Sequence, residues 1–557
     1  MKRHFVTVGS RQVHYRRAGA GPPVVFLHGS PQSSAFVEPV MGAITDDYTA
    51  IGLDTPGYGN SGPLGIAWPS AADYADAGAD TLDALGIEAA AFYGTHTGAH
   101  IAMEVARRHP ARTAALILDG ISFNTPAERA ELLARYAPPF VPSAAGEHLA
   151  WAWQHTRDQI VFYPWFRAEA ERRLAVDMAG ASYIHDVVQA KMGAGDGYRV
   201  GYAAAFGHDT FTAIANVKVP TAIMARPNDI LTPQVKRIAA SAPGNCSVVE
   251  LSGDAGALAD AMRHFLSQVE AGTPPEPPAA EHVGAGPTRR YADLANGQQI
   301  HCRQIEGEGR PLVLLHDEVG TSDLLAPLMA RLAGSRTVIA IDLPGHGDSD
   351  SLAGTAPALD DYALAVRSAL DALRVEVFDL YGEGGGGLVA AAVAAGDSGR
   401  VARLVLVEPP LVAAGRISGF TESYAPEIDP TTGGGHLLAA WHRVRDAELF
   451  WPWCEPTKDA VRARDPILTA DHLQARLMAL LKSRGCPATC RAVFGADART
   501  ALGSAKTTAL VLAAPGDAFE GQADEAAELL PNATSAPLPG TLAERADVIA
   551  AFLDGEA

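Results

Sequence analysis

Short apolar runs alternate with helical patterns from the start of the chain. The runs contain few polar residues, and this lack of alternation is typical of parallel strands buried on both faces. The pattern predicts an α/β fold with a mostly parallel sheet flanked by helices. The elements predicted before residue 120 are a strand pair over 4–19, strands over 24–28, 48–54, 89–93 and 114–119, and helices over 71–85 and 97–108.

A helical segment rich in Trp, Tyr and Phe interrupts this pattern over about 121–217. Strands are predicted again over 221–225 and 247–252, followed by a helix over 255–269. We interpret the aromatic insertion as a lid over the presumed site.

The second half of the chain repeats the first with a constant offset of 288 residues. The motif Asp-Thr-Pro-Gly-Tyr-Gly over 54–59 matches Asp-Leu-Pro-Gly-His-Gly over 342–347. The offset also holds inside the aromatic insertion, where Trp153 matches Trp441. A register of this length does not arise by chance, so the chain is interpreted as a tandem duplication.

The length of 557 residues suits two domains better than one. Between the copies, a Pro-rich run cannot continue a helix and is typical of a semi-rigid spacer. We predict a first domain over 1–270, a linker over 271–287, and a second domain over 288–557 with its own lid over about 409–505. Two joined copies suggest an intramolecular pseudo-dimer, and the oligomeric state stays open.

Composition narrows the classes of partner. Apolar residues make up 48% of the chain and charged residues 19%, which excludes a mainly disordered protein. The net charge of -20 provides no attraction to nucleic acid or to anionic lipid, so neither is expected as a partner. No apolar run reaches the roughly 18 residues of a membrane span, and the N-terminus lacks a secretory signal pattern. We therefore predict a cytoplasmic protein.

The cysteines and histidines indicate neither a disulfide framework nor a metal site. Five cysteines, an odd number, fit a reducing cytosol. Cys486 and Cys490 are four residues apart, but no second Cys/His pair supplies the remaining ligands of a zinc site. His100 follows His96 at the same spacing, again without a third ligand. We predict no metal and no cofactor.

Several motifs give the chain a resemblance to the α/β-hydrolase superfamily. They are the oxyanion-loop signature Phe-Leu-His-Gly over 26–29, the motif Asp-x-Pro-Gly-x-Gly-x-Ser over 54–61, the nucleophile elbow Gly-x-x-x-Gly over 94–98, and Asp229 after a late strand. The resemblance covers nearly all of both halves. It implies two tandem domains of this fold, each with a lid, and a nucleophile at the middle residue of the elbow.

The middle residue of the first elbow is His96, and the late loop over 251–257 contains no His. A standard triad therefore cannot form. The resemblance assigns the acid position to Asp229, and we hypothesise that the His96 ring extends into the vacated volume and is oriented by Asp229. Asp119, at the end of a strand, is a second candidate for the orienting carboxylate. Alternatively, His96 is a polar residue tolerated after function was lost.

The resemblance implies that the amides of Gly29 and Thr97 bind a developing oxyanion. His28 and Ser30 border the same loop and are candidates for substrate contact. For His28 we favour a structural role, since it ends a buried strand, and Ser30 is also open to such a role, since serines are common in turns.

The lid contributes the other candidates for substrate binding. Trp153 and Trp165 belong to an aromatic set suited to apolar or aromatic small molecules, although their recurrence in the second copy favours packing. His155 and His208 have no histidine counterparts in the second copy, which makes them better candidates for a function of the first.

The second copy has lost more of the motif residues. Its elbow has Gly384 at the nucleophile position, and Asp317 replaces the oxyanion-loop glycine. A carboxylate there opposes the stabilisation of negative charge. We predict that the second domain is inactive and has a structural or regulatory role.

The leading hypothesis is an enzyme with one site, in the first domain, that acts on an apolar small molecule containing a carbonyl, such as an ester, lactone or β-dicarbonyl compound. One alternative is cofactor-free lyase or oxygenase chemistry with His96 as the base. Another is an inactive pair of domains that binds a ligand or a partner.

Overall fold

The computed structural model describes residues 1–227, 229–238, 242–254, 256–269, 272–279, 281, 286–354, 356–412 and 417–555, without the side chains of 417 and 418. The chain divides into two compact units. The first comprises Met1–Val141 and Glu147–Gly284, and the second comprises Pro142–Gly146 and Ala285–Ala557. Part of the predicted linker, namely 271, 280 and 282–285, lies outside the described residues.

Each unit contains an eight-stranded sheet. The strand order is β1-β2-β4-β3-β5-β6-β7-β8 in the first sheet and β9-β10-β12-β11-β13-β14-β15-β16 in the second. The strands are β1 Lys2–Val8, β2 Arg11–Ala18, β3 Pro23–Leu27, β4 Thr49–Leu53, β5 Ala90–Thr95, β6 Thr113–Asp119, β7 Thr221–Ala225, β8 Cys246–Glu250, β9 Thr288–Asp293, β10 Gln299–Ile305, β11 Gly309–Leu315, β12 Arg336–Ile341, β13 Phe378–Glu383, β14 Val401–Val407, β15 Thr508–Ala513 and β16 Ala533–Pro537.

Helices cover the sheets and form the two lids. They are α1 Glu38–Gly42, α2 Ala71–Ala84, α3 Thr97–Arg108, α4 Pro126–Arg135, α5 Glu147–Val161, α6 Ala181–Ala194, α7 Tyr198–Gly207, α8 Thr210–Ala215, α9 Thr232–Val235, α10 Ala257–Leu266, α11 Ala326–Leu332, α12 Leu359–Ala372, α13 Gly385–Gly396, α14 Ile417–Tyr424, α15 Gly435–Leu449, α16 Ala470–Lys482, α17 Cys486–Gly495, α18 Ala498–Ser504, α19 Glu520–Leu529 and α20 Leu542–Asp554. Among the described residues, none of these helices is long and apolar enough to cross a membrane.

The sheet of the first unit is parallel from β4 through β3 to β8, whereas β1 and β2 pair antiparallel at one edge. All five residues of β3, of β4 and of β7 are buried, as expected for strands covered on both faces. The predicted α/β class with two tandem domains is confirmed. The predicted elements agree with the observed ones to within about three residues, and residue 255 of the predicted last helix lies outside the described residues.

The segment between β6 and β7 contains α4 to α8, and the segment between β14 and β15 contains α14 to α18. Both insertions therefore leave the carboxyl edge of a parallel sheet, where ligands of open α/β sheets bind. The tight turn from β5 into α3 reaches the same edge, so the topology brings the elbow and the lid of the first unit together.

Candidate active site

His96 occupies the turn between β5 and α3 with φ 49° and ψ -114°, a conformation that side chains rarely adopt. Two glycines make this turn possible. A Cβ on Gly94 would collide with the carbonyl oxygen of Gly98, and a Cβ on Gly98 would collide with that of Leu27. The backbone of the elbow is therefore packed against β3, and the His96 side chain projects from it.

The His96 ring reaches Asp229, which follows β7. Nε2 of His96 lies 2.9 Å from Oδ2 of Asp229. The His96 side chain is 42% exposed, whereas that of Asp229 is 5% exposed. The backbone amide of Leu231 donates to Oδ1 of Asp229 at 2.8 Å, and Arg226 Nη2 donates to Oδ2 at 3.4 Å. The carboxylate is thus held from several sides, and the imidazole is the accessible member of the pair.

Charge and hydrogen bonding shift the pKa of both members of the pair toward the charged form. Burial acts to raise the pKa of Asp229, but His96, the Leu231 amide and Arg226 outweigh burial and lower it to about 2. Burial acts to lower the pKa of His96, yet the Asp229 charge and hydrogen bond produce a net rise above the ordinary value. Asp229 is therefore ionised at neutral pH.

An ionised carboxylate only accepts hydrogen bonds, so Nε2 of His96 carries the hydrogen that faces Asp229. In the neutral ring, Nδ1 then carries the lone pair. Among the described residues, Nδ1 has no hydrogen-bond partner. This nitrogen can accept a proton from a substrate or from water, and the carboxylate stabilises the imidazolium that results.

Asp119, the other candidate for the orienting acid, makes different contacts. It is fully buried at the end of β6, where it accepts a hydrogen bond from the Tyr93 hydroxyl at 2.5 Å and forms an ion pair with Arg226 Nε at 2.8 Å. Burial dominates over Arg226 and Tyr93 and raises the pKa of Asp119. Arg226 therefore links Asp119 to Asp229, and the His96 ring hydrogen bonds to Asp229.

The two predicted oxyanion donors lie beside the elbow. A Cβ on Gly29 would stand 3.3 Å from His96 Cβ, so this loop passes close to the base. Thr97 is the first residue of α3, where a backbone amide has no partner within its own helix. Neither amide donates a hydrogen bond within the described part of the chain. Their role as oxyanion donors stays a prediction.

His28 and Ser30 make contacts within the protein. Nε2 of His28 accepts from the Thr55 amide at 3.0 Å, so Nδ1 donates to the Gly29 carbonyl at 2.9 Å. Burial lowers the pKa of His28, which favours this neutral form. Ser30 lies against Gly201 of the lid. These contacts favour structural roles, and substrate contact by either residue stays a prediction.

Three of the lid residues predicted to bind substrate pack inside the lid. Trp153 is 3% exposed, and the indole nitrogen of Trp165 donates to the Tyr136 carbonyl at 2.7 Å. His155 is 2% exposed and lies 2.7 Å from the Nζ of Lys191, and burial lowers the pKa of His155 to about 3. The structure does not bring these side chains to His96.

His208 belongs to a buried network beneath α3. Its Nε2 lies 2.9 Å from Oε1 of Glu104, and its Nδ1 lies 3.0 Å from Nδ1 of His100. His208 also lines a cavity of about 520 Å³ together with Trp68 and Glu104. The described lining of this cavity includes neither His96 nor Asp229. Substrate contact by His208 therefore stays a prediction without support from the site geometry.

Sequence reasoning missed two residues that shape the dyad. Arg226 is one, although its position three residues before Asp229 was a signal. Gly120 is the other. It adopts φ 67°, and a Cβ there would lie 2.5 Å from Cδ2 of His96 and 2.7 Å from Oδ2 of Asp229. The sequence signal for Gly120 was that the second copy, whose elbow lacks a histidine, has Glu408 instead of glycine at the matching position.

In the second unit, the corresponding elbow is filled by acidic side chains. Gly384 has φ 54°, close to the conformation of His96. The amide of Gly385, the counterpart of Thr97, donates to Oε2 of Glu318 at 2.7 Å. Asp317 forms an ion pair with Arg476 at 3.0 Å. The Glu318 carboxylate therefore already accepts the amide hydrogen that would otherwise bind an oxyanion.

In the second unit, Asp517 at the acid position is paired with an arginine of the same unit. Arg462 forms ion pairs with Asp517 at 3.0 Å and with Glu408 at 2.8 Å. The Asp517 carboxylate thus has an arginine where Asp229 has a histidine.

Curated relatives match parts of the chain. A putative non-heme haloperoxidase of Mycobacterium phage D29 is 37% identical over 101 residues, 18% of this chain and 36% of the relative. A 2-(acetamidomethylene)succinate hydrolase of Mesorhizobium japonicum is 32% identical over 111 residues, 19% of this chain and 40% of the relative. The chain therefore spans about two fifths or less of the length of these relatives.

Two solved structures match about half of the chain at low identity. An enol-lactonase from Burkholderia xenovorans has 22% identity and a TM-score of 0.37, covering 48% of this chain and 98% of its own. Epoxide hydrolase A from Mycobacterium thermoresistibile has 19% identity and a TM-score of 0.39, covering 48% of this chain and 99% of its own.

The family model for the alpha/beta hydrolase fold matches residues 22–242 and again residues 310–436. The two matches cover more than half of the chain, and each falls on one of the two eight-stranded sheets. The protein therefore belongs to the alpha/beta hydrolase fold family, as a tandem pair of its domains.

Proposed function

We propose that the first domain hydrolyses a small carbonyl compound, such as an ester or lactone, with His96 as a general base. The observation that carries this proposal is the His96–Asp229 pair, in which a base that is 42% exposed is held at 2.9 Å by a carboxylate that is 5% exposed. A buried acid that orients an accessible imidazole is the arrangement that general-base catalysis requires. The name of one relative, a hydrolase, supports this reaction class.

In the proposed reaction, Nδ1 of His96 removes a proton from water as the water oxygen attacks the substrate carbonyl. Asp229 stabilises the imidazolium through Nε2. The amides of Gly29 and Thr97 would donate to the tetrahedral oxyanion. The imidazolium then returns the proton to the leaving oxygen, so no covalent enzyme intermediate is needed.

A second candidate is the abstraction of a proton next to a carbonyl, as in a lyase. It is favoured by the residue at the elbow tip, because an imidazole there supplies a base without the hydroxyl or carboxylate nucleophile of the superfamily. The same amides would then stabilise an enolate. In this case the α-hydrogen of a β-dicarbonyl compound would exchange with deuterium from the solvent.

The test compares wild type with His96→Ala on a panel of esters and lactones. We expect turnover to fall about 100-fold or more in the variant. His264→Ala is the matched control, since this exposed histidine lies on α10 and contacts Gln268. Equal hydrolysis by His96→Ala and wild type would refute hydrolysis by this base. Deuterium exchange that depends on His96 without hydrolysis would favour the lyase candidate. Ligand-induced thermal stabilisation without either reaction would favour a binding protein.

A further inference from the structure

A buried arginine of the second unit is paired with sulfur instead of a carboxylate. Arg443 lies on α15 and is 4% exposed. Its Nη2 donates to Sγ of Cys486 at 3.3 Å. Among the described residues, no carboxylate lies within ion-pair distance of this guanidinium. A buried guanidinium keeps its charge and needs a compensating anion. The contact therefore favours a thiolate at Cys486.

The second cysteine completes an asymmetric pair. Cys490 lies one turn further along α17, and its Sγ is 3.8 Å from that of Cys486. Cys486 is the first residue of this helix, where the helix dipole also favours a negative charge. The hydrogen bond from Cys490, together with Arg443, lowers the pKa of Cys486 against the opposing effects of burial and of the nearby Glu318 carboxylate. Burial raises the pKa of Cys490, which keeps its proton.

We propose that Cys486 and Cys490 form a redox-active dithiol that reduces a small peroxide, with Cys486 as the attacking thiolate and Cys490 as the resolving thiol. Cys486 and Cys490 are 1% and 0% exposed, so the oxidant must be close to water in size, as hydrogen peroxide is. Nε of Arg443 is buried without a hydrogen-bond partner among the described residues, which leaves a donor for a peroxide or sulfenate oxygen.

The proposed reaction balances without a cofactor. The Cys486 thiolate attacks one peroxide oxygen, the S–O bond forms, the O–O bond breaks, and hydroxide leaves and takes up a proton as water. The Cys490 sulfur then attacks the Cys486 sulfenic acid, the S–S bond forms, and a second water leaves. Two thiols are oxidised to one disulfide and one peroxide is reduced to two waters. Cα atoms one helical turn apart, about 6 Å, lie within the range that a disulfide spans, whereas Cβ atoms at this spacing lie about 5 to 6 Å apart and must approach to about 4 Å, so the first turn of α17 has to unwind as the S–S bond forms.

Two other interpretations are disfavoured. A metal ion would be repelled by the Arg443 charge beside the sulfur atoms. A purely packing role would not require a buried guanidinium aimed at sulfur. The matching positions of the first domain, offset by 288 residues, are His155, Tyr198 and Tyr202, so the dithiol belongs to the second domain alone.

The test treats the folded full-length protein with hydrogen peroxide and measures the tryptic peptide 485–491, which contains both cysteines. We expect this peptide to lose two hydrogen atoms and to regain them with dithiothreitol. Cys490→Ser should instead gain oxygen at Cys486, and Cys486→Ser should leave Cys490 unmodified. Buried Cys302, whose pKa burial raises to about 12, is the internal control and should stay reduced.

Arg443 is tested by two substitutions. Arg443→Leu should slow oxidation of Cys486 at neutral pH about tenfold or more, because the thiolate loses its counter-ion. Arg443→Lys retains the charge, and its rate of Cys486 oxidation should lie between the rates of Arg443→Leu and wild type. If Arg443→Leu unfolds, the pH dependence of the wild-type rate still decides the question, since a thiolate stabilised in this way reacts at a rate that levels off below the ordinary thiol pKa. Oxidation of Cys486 no faster than that of Cys302, or only in denaturant, would overturn the proposal.

Discussion

Gly120 and His96 approach so closely that a single methyl group on Gly120 would lie 2.5 Å from Cδ2 of the His96 ring. The same methyl group would lie 2.7 Å from Oδ2 of Asp229. The space in which the imidazole meets the carboxylate therefore depends on the absence of a side chain at residue 120. The second domain has Glu408 at this position, and its elbow has no histidine to accommodate.

Gly120→Ala should separate His96 from Asp229 and reduce the activity of the first domain about 100-fold or more. Because φ at this residue is 67°, the new side chain should also lower the free energy of unfolding by about 1 kcal/mol. Gly9→Ala is the control, because Gly9 has φ 59° but open space around its Cα. Both variants should lose stability through the positive φ, Gly120→Ala should lose more because its Cβ also clashes with His96 and Asp229, and only Gly120→Ala should lose activity. Full activity in Gly120→Ala would contradict the importance of this contact.

Asp229→Asn should change the pH profile as well as the rate. The Asp229 charge raises the pKa of His96, so its removal should move the acidic limb of kcat/KM to lower pH. The maximal rate should fall about 100-fold or more, because a neutral amide stabilises the imidazolium less. Asp83→Asn is the control, since Asp83 is exposed and pairs with Arg112. An unchanged acidic limb would argue against His96 as the titrating base.

The His96–Asp229 pair should also make stability depend on pH. The pKa of His96 is higher in the folded than in the unfolded chain, so its contribution is fully present below about pH 6.5 and is lost as pH rises through the folded value. The pKa of Asp229 is lowered, so its contribution is lost as pH falls through about 2. In thermal melts, the stability of wild type should exceed that of His96→Gln most at about pH 5 to 6 and least at about pH 9. The difference should be at most about 1 kcal/mol, because solvent screens the exposed ring. A gap that widens at high pH would contradict the assignment.

Gly384→Ser should not create hydrolytic activity in the second domain. A Cβ at this position would lie 3.0 Å from Cβ of Asp317 and 3.0 Å from Oε2 of Glu318. The Glu318 carboxylate would still occupy the Gly385 amide, and the positive φ should cost about 1 kcal/mol of stability. Activity is measured with His96→Ala as background, so that any turnover comes from the second domain. Turnover in this double variant would contradict the predicted inactivity of that domain.

The predicted order of strands and helices needed only local information. Apolar runs such as 24–28 and the helix after Gly94 depend on patterns of neighbouring residues, and the repeat with an offset of 288 confirmed the register independently. The elbow conformation followed in the same way, because the spacing of Gly94 and Gly98 is itself the signal for close backbone packing.

The contacts between distant side chains depended on tertiary structure. Asp119 and Asp229 were both candidates for the acid, and in the fold the Asp119 carboxylate meets Tyr93 and Arg226 whereas the Asp229 carboxylate meets His96. Glu318 on the Gly385 amide and Arg443 on Cys486 were not predicted for the same reason. Composition and spacing specify which groups a chain contains and which face of a helix they share. Their partners across the fold are determined by the packing of elements that are separated by many residues. A local sequence pattern contains no information about that packing.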